Sequence, residues 1–197
     1  MSFRKERKYR LSKFEFEILK NDLFCRGMHT LYNKRKIHSL YYDTIMMDMF
    51  KDSEEGVVPR KKLRIRWYGH PNEANIETKI SSIEGRFKIS TPKRFLSFED
   101  LPKKIIDQNY GTLTPSLLVS YDREYFLLNK MRITFDSLIK YKNYRHLKSV
   151  ECEDKEHVME IKVSAYTSND YVETIIPYAT SRFSKYSRGL LISNSEI

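Results

Sequence analysis

At least six stretches of this chain alternate charged and apolar residues with a period of two, which points to a fold built mainly from strands. Successive side chains on a strand point to opposite faces. Lys62, Arg64 and Arg66 therefore share one face, and Leu63, Ile65 and Trp67 the other. Glu77 and Lys79 point together, opposite Ile76 and Ile80. Arg132, Thr134 and Asp136 oppose Met131, Ile133 and Phe135, while Glu160 and Lys162 oppose Met159, Ile161 and Val163. Glu6, Lys8 and Arg10 share a face, and Arg123 lies between Tyr121 and Tyr125. A sheet with one wet face shows the same alternation. Here, though, the charged positions are long bases with a carboxylate beside them. If such strands close into a barrel, the charged face becomes the lumen and the apolar face packs outward beneath helices. A lumen that basic repels itself when empty. It makes physical sense around a polyanion, with arginine forks pairing phosphate oxygens and carboxylates holding a hard divalent cation.

The composition agrees with this and excludes several classes. A chain of 197 residues is expected to form a single domain spanning 1–197, with a sizeable core. Lys and Arg outnumber Asp and Glu by 36 to 26, so a partner or substrate of negative charge is one reading and a merely soluble basic protein the other. No stretch approaches the ~20 apolar residues of a membrane helix. The charged amino terminus shows no secretory signal, and a cytoplasmic location is expected. Cys25 and Cys152 show no CxxC spacing and read as two buried thiols in a reducing compartment. The histidines form no HExxH, and the glycines form neither GxGxxG nor GxxxxGK. Any phosphate binding must use side chains rather than a glycine-rich loop.

Some local structure is also legible. Ser12 with Glu15 reads as a capping box opening a helix that runs to about Phe24 and ends before Gly27. A second helix is predicted from Ser97 to Asn109, with Phe98, Leu101, Ile105 and Ile106 as its apolar face. Lys51 to Pro59 reads as a surface loop, His70 to Asn75 as a turn, and Pro115 to Asn129 as a short helical start followed by a strand. Trp67 and the run from Ile45 to Phe50 read as buried packing.

In order along the chain, these motifs resemble the VTC domain, the polyphosphate-polymerase branch of the triphosphate tunnel metalloenzyme superfamily that also contains the CYTH phosphatases. The resemblance rests on Glu6-Arg7-Lys8-Tyr9, Ser39-Leu40-Tyr41-Tyr42-Asp43-Thr44, Arg64-Ile65-Arg66 with Tyr68, and Glu77-Thr78-Lys79. It continues through Tyr121-Asp122-Arg123-Glu124-Tyr125, Arg132-Ile133-Thr134-Phe135-Asp136, Met159-Glu160-Ile161-Lys162 and Ser184-Lys185-Tyr186. It implies an α+β fold, mainly antiparallel β, closed into a tunnel-like barrel with a basic lumen and a few helices outside. It further implies that Lys8, Arg64, Arg66, Lys79, Arg123, Arg132 and Lys185 contact phosphate, with Tyr121, Ser184, Lys162 and Arg182 as additional substrate contacts. Glu160 is the implied metal carboxylate, with Glu77 and Glu6 as further candidates. The implied cofactor is a divalent metal, Mn or Mg.

The activity so implied is ATP-dependent extension of inorganic polyphosphate, with ATP, triphosphate and polyphosphate as ligands. The CYTH phosphatases open with E-x-E-x-K, whereas Arg4 stands at the first of those positions here and only Glu6 remains. That departure favours the polymerase-like branch. Alternatives are a triphosphatase on the same site, or a polyphosphate- or nucleotide-binding module without turnover. Nucleic acid is not expected as a partner, since neither an RNP1 motif nor zinc-ligand spacing occurs.

Overall fold

The structure, a computed structural model, describes residues 4–146 and 150–195. In chain order the elements are β1 (Arg4–Leu11), α1 (Lys13–Cys25), β2 (His29–Asp43), α2 (Asp48–Glu55), β3 (Arg60–Tyr68), β4 (His70–Ser82) and β5 (Gly85–Lys93). They continue with β6 (Ile105–Asp107), β7 (Gly111–Leu128), β8 (Met131–Asn143), β9 (Glu151–Glu153), β10 (His157–Ser164), α3 (Asn169–Ile175) and α4 (Lys185–Ser195). All the strand pairs whose register is defined here are antiparallel. The chain divides into two compact units, and β2, β7 and β8 contribute residues to each.

The first unit comprises Met1–Arg35, Tyr121–Ile139 and Asp154–Phe183. Its sheet places β10 between β1 and β8, with β7 and β2 following. The capping box predicted for α1 is present: Ser12 Oγ accepts the Glu15 amide at 3.2 Å, and Glu15 Oε2 accepts the Ser12 amide at 2.7 Å. Phe16, Leu19 and Leu23, spaced by three and four, bury one face of α1. They pack in one cluster with Tyr9, Ile133, Phe135, Met159 and Ile161, and Val172 and Ile175 of α3 join them. Each such side chain contributes roughly 1.5–3 kcal/mol of burial. The helices thus cover the apolar face of this sheet, where Arg7 also pairs with Glu173 of α3, and Glu6, Lys8, Arg132, Glu160 and Lys162 lie on the opposite face, as the alternation predicts.

The second unit comprises Lys36–Ser120, Lys140–Glu153 and Ser184–Ile197. Its strand order is β7-β2-β3-β4-β5, with β6 on β7 and β9 on β8. Leu63, Ile65 and Trp67 pack with Leu40, Tyr42, Met49 and Leu113, so Trp67 is core as expected. Helix α4 sits close against its neighbours at Gly189. A Cβ there would lie 2.4 Å from Tyr141 Cδ1 and 2.7 Å from Leu117 Cδ2. Overpacking costs about 1–3 kcal/mol, more than the roughly 1 kcal/mol that alanine gains over glycine in a helix. Gly189→Ala is therefore expected to lower the midpoint of urea unfolding; an unchanged or raised midpoint would mean that α4 can shift to make room.

Several local expectations are corrected. Ser97–Asn109 is not a helix. Asp100 Oδ2 accepts the Ser97 amide at 2.8 Å, but Pro102 cannot donate to a continuing helix, and Ile105–Asp107 pairs with β7 instead. The Lys51–Pro59 loop is largely replaced by α2, because the Asp43 carboxylate accepts the amides of Met49 (2.9 Å) and Phe50 (3.0 Å) and caps that helix from outside it. Pro115 to Leu128 is strand throughout. Asn129 and Lys130 then form the turn to β8 with φ of 47° and 65°, the signs a two-residue hairpin demands. The expected turn at His70–Asn75 tightens to Gly69, whose φ of 68° suits glycine, and β4 begins at His70. Of the run from Ile45 to Phe50, Met49 is fully buried while Ile45 (81%) and Met46 (62%) face solvent. Cys152 is buried but Cys25 is exposed.

Candidate functional site

In the first unit, register sets the polar rows. Lys8 pairs with Glu160, which pairs with Thr134; Glu6 pairs with Lys162, which pairs with Arg132. Glu160 is buried, and its carboxyl is hydrogen-bonded to that of Glu6. Lys162 Nζ lies 3.0 Å from Glu160 and 3.8 Å from Glu6. The hydrogen bond to Glu160, then burial, raise the Glu6 carboxyl. Burial would also raise Glu160, but the bond from Glu6 and the charges of Arg123, Lys162 and Lys8 outweigh it and hold Glu160 well below the usual carboxylate range. The contact thus drives the two carboxyls apart, Glu6 upward and Glu160 downward. Lys8 Nζ donates to the Phe183 carbonyl at 2.9 Å.

Arg123 is held on both sides. Its Nε and one terminal nitrogen grip Asp136 in a two-pronged pair at 2.6 and 2.7 Å, and its guanidinium lies 5.3 Å from the centre of the buried Tyr121 ring. Burial lowers the pKa of this guanidinium, but Asp136 outweighs it and drives the value well above its ordinary one, so Arg123 is a permanent charge. Arg132 is exposed on the same polar face, and Arg182 is exposed in the irregular segment before α4.

In the second unit the polar face crosses β2 to β5. One row reads Tyr41, Arg64, Glu77, Ser90; the next reads Lys62, Lys79, Lys88. Arg60, Ser81 and Arg86 form a third, and Ser39, Arg66 and Asn75 a fourth. Arg64 reaches Glu77 Oε2 at 2.6–2.7 Å and donates to the Tyr41 hydroxyl at 2.8 Å. Arg66 donates to Ser39 Oγ at 3.1 Å and lies 3.8 Å from Glu77; Lys88 takes the other Glu77 oxygen at 2.5 Å. Burial would raise the Glu77 carboxyl, but Arg64, Arg66 and Lys88 hold it at about 2. Lys62 donates to Ser184 Oγ at 2.9 Å, and Lys185 begins α4 on the next residue. Behind this face, Tyr186 stacks on Tyr41 at 4.7 Å and donates to the buried Asp43 at 2.5 Å.

The structure therefore gathers Glu6, Lys8, Arg123, Arg132, Glu160 and Lys162 on one face in the first unit. It gathers Arg64, Arg66, Glu77 and Lys79 on another in the second, where Ser184 meets that face through Lys62. Four neighbours were missed. Asp136 was legible as sharing the face of Arg132 and Thr134, though its pairing to Arg123 was not. Tyr41 stood inside a quoted motif. Arg86 and Lys88 lie on β5, whose apolar residues Phe87 and Ile89 are exposed, so the strand shows no buried alternation to draw attention to it. Only the register of the β4–β5 hairpin identifies their face.

A family model described as the VTC domain matches residues 3–194. The chain belongs to the VTC domain family. Its fold also matches solved structures at low identity. One is the PH1012 protein from Pyrococcus horikoshii OT3 (12% identity, TM-score 0.58, covering 93% of this chain and 98% of that one). Another is a putative adenylate cyclase from Bacillus halodurans (14%, 0.57, 93% and 94%). A third is a putative adenylyl cyclase from Hippeastrum, described as revealing a dominant triphosphatase activity (14%, 0.54, 98% and 96%). No match is found among curated proteins. This VTC domain accordingly has the α+β, mainly antiparallel triphosphate-tunnel fold that its motifs imply. Among the described residues no helix is long and apolar enough to cross a membrane.

The tunnel-fold metalloenzymes generally depend on a divalent metal, and the donor set here fits one. Glu6 and Glu160 are two neighbouring carboxyls that both face Lys162 Nζ, at 3.8 and 3.0 Å, a polar site that a hard cation can enter. Among the described residues no cluster of three or more His, Cys, Asp or Glu forms a protein cage. Two carboxylates plus phosphate oxygens and water is the manner in which Mg and similar ions are held.

Proposed function

We propose that this VTC domain is a metal-dependent phosphotransferase that extends inorganic polyphosphate from ATP. The observation that carries this reading is the carboxylate pair Glu6–Glu160 set among Lys8, Lys162 and Arg123, in a chain whose family is the VTC domain. Glu160, with Glu6, holds the metal, which neutralises charge on the phosphoryl oxygens when bound. Lys8, Lys162 and Arg132 bind phosphate in the first unit. Arg123 is already committed to Asp136, so it acts as a fixed positive charge that keeps Glu160 ionised and adds to the field on phosphate. In the second unit Arg64, Arg66, Lys79 and Lys185 bind phosphate oxygens and Ser184 adds a contact, while Tyr121 and Arg182 add contacts in the first. Glu77 serves there as the counter-charge that keeps the arginines aligned, rather than as a metal ligand.

In the reaction, an oxygen of inorganic phosphate or of a chain end attacks the γ-phosphorus of ATP. The bond from that phosphorus to the β–γ bridging oxygen breaks, and ADP leaves with that oxygen. No covalent enzyme intermediate is required, since alignment and charge neutralisation supply the rate. The test is incubation with ATP and Mn, with and without pyrophosphate as primer. Products are then separated by length, with ADP and free phosphate assayed in parallel. A ladder of chains with matching ADP is expected; free phosphate without a ladder would make the protein a triphosphatase, and neither product with ATP still bound would make it a binding module. Arg66→Ala, which removes a bond to Ser39 and a longer contact to Glu77, is expected to stay folded and to lose at least about tenfold in turnover. Unchanged turnover in a folded variant would remove Arg66 from the site.

A further inference from the structure

The second unit holds a cavity of about 710 Å³ that shares no residue with the phosphate-contacting candidates. Its size falls within the roughly 300–1,000 Å³ typical of small-molecule sites. Lys103, Arg145 and His146 line it, together with Tyr144 and two asparagines, and its walls include Ile45, Met47, Pro115 and Leu190. None of the described residues that line it is a carboxylate.

Arg145 is fixed in place before any ligand arrives. Its backbone amide donates to Asn143 Oδ1 at 2.9 Å, and its guanidinium donates to the carbonyls of Asp43 (3.2 Å) and Thr44. Its Nε is buried and has no hydrogen-bond partner, an unmet donor on a permanent charge. Asn194 is held by Asn143 and by His146, whose Nε2 lies 3.2 Å from Asn194 Oδ1. The chain thus preorganises a cationic end, which reduces the cost of binding an anion. Ile45, exposed beside it, supplies apolar surface that the core does not use.

We propose that this cavity is a second ligand site, for a small organic phosphate. The phosphoryl group would sit among Lys103, Arg145 and His146. An apolar or aromatic body would lie against Met47, Pro115 and Leu190.

The probe is phenyl phosphate, added to the full chain labelled with ¹³C in the methyl groups of isoleucine, leucine and methionine. Saturable shifts are expected at the methyls of Ile45, Met47 and Leu190. Tripolyphosphate at saturation should not displace the probe, because it occupies the basic faces instead. Lys103→Ala with His146→Ala, both at exposed positions, should weaken binding by at least about tenfold, the loss expected for charge-assisted contacts. Benzyl alcohol, with the ring but no phosphate, should bind more weakly by a similar factor. The proposal is overturned if those methyls do not shift, if the double variant binds equally well, if benzyl alcohol matches phenyl phosphate, or if tripolyphosphate displaces the probe. None of these outcomes depends on whether the protein makes polyphosphate.

Discussion

Glu160→Gln is expected to remove metal-dependent turnover while leaving the fold in place. Glutamine keeps the size of the side chain and can still pair with Glu6 and Lys162, so the β1–β10–β8 sheet has no reason to rearrange. What disappears is the buried anion, the charge that Arg123, Lys162 and Lys8 stabilise and that a divalent cation requires. Removing one preorganised electrostatic group typically costs on the order of 10²–10³-fold in rate, and loss of the metal itself would add to that. The measurement is turnover of ATP across a Mn titration, beside metal-free binding of tripolyphosphate. Turnover should collapse at every Mn concentration while binding persists, since Lys8, Arg64 and Arg66 are untouched. A variant that turns over ATP within a few-fold of the parent would remove Glu160 from the metal site.

Glu77→Gln is the variant expected to cost the most stability. Glu77 pairs with Arg64, Arg66 and Lys88, and its side chain is 4% exposed. Its carboxyl lies at about 2 in the folded protein against an ordinary value of 4.5. At 1.36 kcal/mol per unit, the charge contributes about 3 kcal/mol. Because the folded value is the depressed one, this stability is fully present above pH 4.5 and is lost as pH falls toward 2. Urea unfolding of both proteins across pH should therefore show a gap of about 3 kcal/mol at pH 7 that closes in acid. A gap of the same size at pH 7 and at pH 2.5 would mean that the loss comes from packing rather than charge.

The parts of this architecture legible in the sequence are those written in periodicity and caps. Alternation at Lys62–Trp67 and Met159–Val163 identified which residues share a face. Ser12 with Glu15 located α1, since both halves of a capping box lie within four residues. What was illegible depends on residues distant in the chain. The helix α2 owes its start to Asp43, a side chain outside it, so its own sequence reads as loop. Ser97–Asn109 carries helical spacing, but Pro102 and the pairing of β6 with β7 override it. Arg123 looked like an unengaged phosphate contact because nothing local announces that Asp136, one strand away, holds it in a two-pronged grip. The basic row through Lys88 could be placed only after the β4–β5 register was known.

The pairing of β1 with β10 has a consequence for how the site is born. Arg4 is joined to Ser164 and Lys8 to Glu160 across about 150 residues of intervening chain. Contacts of such sequence separation must wait for slow loop closure, and chains dominated by them fold late and slowly. During synthesis, Glu6 of β1 has no partner carboxylate until β10 has left the ribosome. A nascent or truncated chain ending before His157 would thus lack Met159 and Ile161 from the cluster around Tyr9 and Leu11 and could not assemble the pair. Competence for metal would arrive only once β10 has joined β1, because neither strand carries both carboxylates of the pair.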